Sequence, residues 1–267
     1  MSIPRVIHYC WFGRNPLPSD VEAYIASWRK FCPGYEIKQW DESNFDIDIN
    51  QYVKEAYSTQ KWAFVADFAR LWIINNEGGV YLDTDVELIK PLEPILEQAE
   101  CVVAEEIPGR INTGVGFAAS AHHPVIEAML RQYENARFQI QPKVYDLTPC
   151  PIRNTRALKE MGYDGVAGRL SSCSCLVLPS EIMSPINPET GEINIHSKTV
   201  SIHHFSGSWK NGSEKEKYKK KRNLQQKYGK IGTLVYYMQS MIFDVQAKGL
   251  YATTMEIYQR LKLFFIK

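Results

Sequence analysis

A chain of 267 residues with 45% hydrophobic and 23% charged residues holds enough apolar material for one large core, which excludes a disordered or fibrous protein. Its net charge of +1 hides a division, with 18 Lys+Arg against 26 Asp+Glu up to Ser208 and 13 against 4 from Trp209 onward, an acidic body with a basic tail. Six cysteines without a Cys-x-x-Cys pair read as reduced thiols in a chain of this size. No stretch approaches the roughly 18 continuous apolar residues of a membrane span, and Ile3 to Phe12 lacks the layout of an export signal. A cytoplasmic protein is expected, at most peripheral on the inner face of the cell membrane.

Val6 to Gly13 has the pattern of a first strand ending in a glycine turn. Ser19 or Asp20 can cap a helix through Val21, Tyr24, Ile25 and Trp28, closed by Pro33-Gly34, and Tyr35 to Trp40 alternates as a second strand. Strand, helix, strand opens a nucleotide-binding α/β layer, whose ligands collect beyond the carboxyl ends of the strands. Trp11 stands at such an end, where an indole either stacks on a base or fills the core. Lys61 to Asn76 reads as a long helix, apolar around almost its whole circumference and therefore buried. Asp67 and Arg70, three apart on one of its faces, form either a structural ion pair or a pair reaching a polar ligand.

Gly78-Gly79-Val80-Tyr81-Leu82-Asp83-Thr84-Asp85 is the segment with the strongest chemical content. A buried strand follows a glycine turn, and alternation places Asp83 and Asp85 on one face. Paired carboxylates repel unless a cation lies between them, and oxygen ligands favour Mg²⁺ or Mn²⁺. Cys101 to Ala104 reads as another strand, with Glu105-Glu106 after it. In Ile111 to Ala118, small residues including Gly114 permit close approach of backbone to a ligand, and Asn112 offers a donor and an acceptor to hydroxyls. His122-His123-Pro124 is expected to be a surface helix start. The prolines between 135 and 195 break that region into loops and short elements without assignable roles. Thr199 to Phe205 reads as a last strand, whose alternation allows only one of His203 and His204 to complete the Asp83/Asp85 site as a metal ligand.

Together these segments resemble glycosyltransferase family 32, the group with the Asp-x-Asp sugar-binding region, and more distantly the glucosylating toxins of clostridia. The residues that carry the resemblance are Ile7 to Gly13, Trp62 to Arg70, Gly78 to Asp85, Asn112-Thr113-Gly114, and His203-His204 through Ser208-Trp209. The resemblance implies an α/β GT-A fold, a Rossmann-like, mixed and mostly parallel sheet flanked by helices. It further implies a divalent metal (Mn²⁺ or Mg²⁺), a nucleotide-sugar donor and retention of anomeric configuration. Carried over by position, Trp11 stacks on the nucleobase, Asp67 and Arg70 hold donor hydroxyls, Asp83 contacts ribose and metal, and Asp85 ligates the metal. Tyr81, Asn112 and Gly114 line the donor, Ser208 and Trp209 close over the diphosphate, and His203 or His204 supplies the third ligand.

The catalytic domain is expected over 1–209, followed by a basic, amphipathic helical extension over 210–267. In that extension, the basic run from Lys215 to Arg222 beside apolar clusters reads as an interfacial membrane element or a packing helix. Nucleic acid is not an expected partner, because the basic residues accompany no binding motif. The expected activity is transfer of a hexose from a UDP-linked donor to a glycan or lipid-linked glycan of a bacterial surface polysaccharide. A nucleotidyltransferase would want a glycine- and lysine-rich phosphate loop near the first strand, which Gly13-Arg14-Asn15-Pro16 does not supply. A non-catalytic sugar-binding or scaffold protein would have no need of Asp67, Arg70, Asp83 and Asp85 together.

Overall fold

The computed structural model describes residues 2–170, 173–188 and 192–206, with 216–217, 220, 223–224, 227–229 and 231–239. The chain opens with β1 (Val6–Cys10), α1 (Ser19–Phe31) and β2 (Glu36–Trp40). Neither Ser19 nor Asp20 caps α1. The cap position belongs to Pro18, which has no side-chain cap hydrogen bond, while within the first turn Asp20 Oδ1 accepts the Val21 N–H at 3.0 Å. Next come α2 (Gln51–Ser58), capped by the Asn50 carboxamide, and the buried α3 (Trp62–Glu77). Gly78 and Gly79, with φ of 68° and 101°, turn α3 into β3 (Gly79–Tyr81). A Cβ on Gly79 would stand 2.8 Å from the Val6 carbonyl oxygen, so the turn and the sheet together require glycine.

Beyond β3 lie β4 (Val86–Leu88), α4 (Glu93–Leu96) and β5 (Cys101–Ile107). β5 runs straight through Glu105 and Glu106, both buried, where the sequence suggests that the strand has already ended. β6 (Arg110–Ile111), a 3-10 turn at Thr113–Val115 and β7 (Phe117–Ala119) follow. The remainder contains α5 (Pro124–Arg131), the hairpin β8 (Gln139–Gln141) and β9 (Val144–Tyr145), α6 (Cys150–Glu160), β10 (Gly168–Leu170), β11 (Cys175–Leu178), α7 (Ser180–Met183) and β12 (Ser201–His203). His123 is buried instead of on the surface. Its Nδ1 accepts the Val125 N–H at 3.3 Å and so caps α5.

The central sheet has the order β10-β11-β5-β7-β3-β1-β2, with β6 beside β5. β2, β1 and β3 are parallel neighbours, as are β5 and β11, while β7 lies antiparallel between β3 and β5. Five of the eight strands thus share a direction, the mixed and mostly parallel layer expected. Alternation decides the two faces. Cys10, Tyr81, Cys101, Val103 and Phe117 enter a core with α2, α3, α5 and α6, whereas Ile7, Tyr9, Val80, Val102 and Ala118 enter one with α1 and α7. Because β7 runs backwards, its amino-terminal end, with Asn112 to Val115 just before it, reaches the same sheet edge as the carboxyl end of β3. β4 pairs with β12 in a separate ribbon beside that edge.

Candidate active site

β3 stops at Tyr81, and the chain turns immediately, the Val86 N–H donating to the Asp83 carbonyl at 3.0 Å. This turn aims Asp83 and Asp85 into common space, which corrects the expectation that both stand on one strand face. The β4–β12 ribbon brings the third group. His203 lies opposite Val86 in register, with its Nε2 3.1 Å from Asp85 Oδ1. One ligand atom from each of Asp83, Asp85 and His203 lies within 4.8 Å of the other two. His204 turns away, with Nε2 2.9 Å from Glu87 Oε2 and its ring stacked on Tyr24 at 4.7 Å. Between the two candidate histidines the ribbon therefore selects His203, and His204 is removed from the ligand set.

The charges in this cluster are mutually held. Burial and the neighbouring Asp85 push the Asp83 carboxyl up to about 6 against the pull of Arg70. Its side chain retains 24% exposure, so solvent reaches it. Burial acts on Asp85 as well, but His203 and the Ser206 donors outweigh it and keep that carboxyl well below the usual range. The Ser206 N–H and hydroxyl reach Asp85 Oδ2 at 2.8 and 3.2 Å. Burial opposes protonation of His203, yet Asp85 and Asp83 raise its affinity for a proton overall. Two carboxylates and one imidazole nitrogen form a hard, oxygen-rich donor set that suits Mn²⁺, and Mg²⁺ less well because of the nitrogen.

The opposite wall comes from α3. Arg70, with its side chain 4% exposed, places Nη2 2.9 Å from Asp67 Oδ1 and 3.3 Å from Asp83 Oδ1. Both readings of the Asp67/Arg70 pair therefore have a structural basis, since the pair is internal and also touches the acidic cluster. Asp67 further accepts the backbone N–H and the thiol of Cys150 at the start of α6, a favourable place for a carboxylate. Tyr81 is buried with its ring 5.3 Å from the Arg70 guanidinium carbon. It supports Arg70 and offers no face to a donor, contrary to expectation.

Asn112 is likewise engaged internally. Its Nδ2 donates to Glu106 at 2.7 Å, and its Oδ1 accepts the Gly114 N–H at 2.7 Å. The carboxamide thus shapes the turn before β7 instead of standing free for sugar hydroxyls. A Cβ on Gly114 would lie 2.7 Å from Asp83 Oδ2 and 3.0 Å from Arg70 Nη1, so the backbone there passes directly under the cluster. Trp11 is half-buried against the α1 core, and its indole N–H donates to the Asn15 carbonyl at 2.7 Å. Ser208 and Trp209 lie outside the described residues. Sequence reasoning missed Ser206, Glu106 and Cys150. Ser206 follows His203 in one loop and Glu106 is a charge inside an apolar strand, which are usable signals; nothing in the sequence marks Cys150.

An Asp-x-Asp pair thus stands at the carboxyl edge of a mixed sheet, with an arginine from a buried helix against it. Residues 18–102, which include Asp83 and Asp85, match the family model described as "Glycosyltransferase sugar-binding region containing DXD motif". Among individual proteins, the chain is 29% identical over 159 residues to inositol phosphoceramide mannosyltransferase 1 of Schizosaccharomyces pombe, covering 54% of this chain and 48% of that protein. It is 29% identical over 145 residues to inositol phosphoceramide mannosyltransferase 3 of the same yeast, covering 51% and 39%. The chain thus spans less than half of either relative. Solved structures similar to it include a glycosyltransferase involved in the glycosylation of the major capsid of PBCV-1 (14% identity, TM-score 0.45, 80% of this chain and 98% of that one). Another is the PaToxG glycosyltransferase (16% identity, TM-score 0.42, 59% and 69%).

Proposed function

We propose that the protein is a metal-dependent, retaining glycosyltransferase that moves a hexose from a nucleotide sugar to a glycan or lipid-linked glycan acceptor, as in the synthesis of a surface polysaccharide. The observation that carries this reading is the convergence of Asp83, Asp85 and His203 within 4.8 Å at the sheet edge, with Arg70 against Asp83. Asp83, Asp85 and His203 would hold Mn²⁺ or Mg²⁺, and a divalent ion there neutralises charge on a leaving diphosphate. Arg70 adds a fixed positive charge, preorganised by Asp67 and Tyr81, next to the same position. Trp11 is the candidate to stack on the base.

The carboxylates near the site are already engaged by Arg70, His203, Ser206, Asn112 or Arg110. Among the described residues none of these carboxylates stands free as a covalent nucleophile, which favours same-face attack with the leaving phosphate accepting the acceptor's proton. A UDP-hexose is the first donor to test, and a mannosyl donor the second, because the yeast relatives are named as mannosyltransferases.

Thermal-shift screening of nucleotide sugars with Mn²⁺, followed by donor hydrolysis with and without the ion, tests the proposal. Hydrolysis that requires Mn²⁺ and disappears in Asp85→Asn supports it. Hydrolysis indifferent to the ion, or a glycosylated side chain trapped by mass spectrometry, refutes metal dependence or same-face attack respectively.

A further inference from the structure

Among the described residues, four of the nine exposed large apolar side chains (Tyr228, Ile231, Leu234 and Met238) fall in one short stretch near the end of the chain. Residues 231–239 are helical and contain no charged side chain. Thr233 and Tyr236 are buried, whereas Ile231 is 69%, Leu234 47% and Met238 63% exposed. At about 100° per residue, the three exposed side chains share a sector roughly 60° wide, and the buried pair occupies the opposite side. The helix therefore buries one side and leaves an apolar face turned to water.

The residues before it have the opposite chemistry. Lys215, Lys217, Lys219, Lys220, Lys221 and Arg222 form a basic run, and Lys217, Lys220 and Lys227 are exposed. Gly229, at a φ of 57°, and Lys230 stand between this cationic part and the apolar helix. A second copy of the chain docking through this same face would bring the same excess of cations, 13 Lys+Arg against 4 Asp+Glu from Trp209 onward, and repel. An anionic surface attracts them. No described helix is long and apolar enough to cross a membrane, and three side chains in one narrow sector suit contact no deeper than the boundary between headgroups and acyl chains.

We infer that Ile231, Leu234 and Met238 dock on an anionic lipid surface, with the preceding lysines on its phosphates. This inference does not rest on the glycosyltransferase reading. The test is sedimentation of the full chain with vesicles of phosphatidylcholine, with and without roughly one third phosphatidylglycerol, at low and high salt. Binding is expected to the anionic vesicles only, and to weaken with salt. The combined variant Ile231→Ser, Leu234→Ser, Met238→Gln should bind at least about tenfold less with unchanged thermal unfolding. Lys217→Gln, Lys220→Gln, Lys227→Gln should also bind less. Full chain that stays in the supernatant, or an apolar-face variant that binds as tightly as the parent, overturns the inference. So does a dimer in solution that the apolar-face variant abolishes, since the face is then a protein interface.

Discussion

Gly114 shows how closely the backbone is fitted to the acidic cluster. A methyl group there would press on Asp83 Oδ2 at 2.7 Å and on Arg70 Nη1 and Asn112 Oδ1 at 3.0 Å. A misplacement of about 1 Å in a reacting site can cost on the order of 100-fold in rate, so under the proposed function Gly114→Ala should lower donor turnover at least about tenfold while moving the melting temperature by only a few degrees. Steady-state kinetics with a calorimetric scan checks both halves. The two adjacent histidines make a sharper comparison. His203 contacts Asp85, and His204 is engaged by Glu87 and Tyr24. His203→Ala should therefore remove the Mn²⁺-dependent thermal shift, and His204→Ala should retain it. The opposite pattern would reassign the third ligand.

The strands that carry these residues are held by an internal histidine. His8 on β1 accepts the Trp40 indole N–H at Nδ1 (3.0 Å), which leaves Nε2 to donate to the Gly78 carbonyl at 3.0 Å. It therefore ties β1, β2 and the glycine turn before β3 to one another. Burial lowers its pKa from 6.5 to about 4, so the folded chain keeps the ring neutral. Between these values the unfolded chain takes up a proton and the folded chain does not. The stabilisation is thus complete above about pH 6.5 and is lost as pH falls toward 4. Urea unfolding should show about 2 kcal/mol less stability at pH 5 than at pH 7.5 from this group, and His8→Asn should flatten that slope. An unchanged slope would mean that His8 titrates freely in the folded protein.

We propose a catalytic domain over 1–209 followed by an extension over 210–267; among the described residues, neither apolar core includes one beyond Val200. Exposed Lys217, Lys220 and Lys227 offer trypsin its sites in that extension. We expect brief digestion to cut there first and to leave a fragment whose melting temperature is within a few degrees of the parent. A fragment that unfolds at once would show that the extension is part of the core. The unequal charge of the two parts, acidic up to Ser208 and basic afterwards, is in keeping with a division of tasks between donor chemistry and surface attachment.

Much of this protein could be read from local pattern. The strands around Val6 to Cys10 and Glu36 to Trp40, the buried helix with Asp67 and Arg70, and the Asp83/Asp85 pair all follow from periodicity, glycine turns and charges set in apolar runs, which neighbouring residues alone fix. What periodicity could not supply was convergence. The choice of His203 over His204 came from the β4–β12 register, the common aim of Asp83 and Asp85 from a turn, and the arrival of Asn112 and Gly114 at the same edge from a reversed β7. Asn112 looked free in the sequence because Glu106 and Gly114 N–H, its partners, are identifiable only once β5 and the 3-10 turn are packed together. Cys150 joined Asp67, Arg70 and Asn112 from the proline-broken region because α6 begins against α3, a contact between segments 80 residues apart. Spacing along a chain records which side chains share a face; which faces meet depends on strand order, register and packing between distant segments.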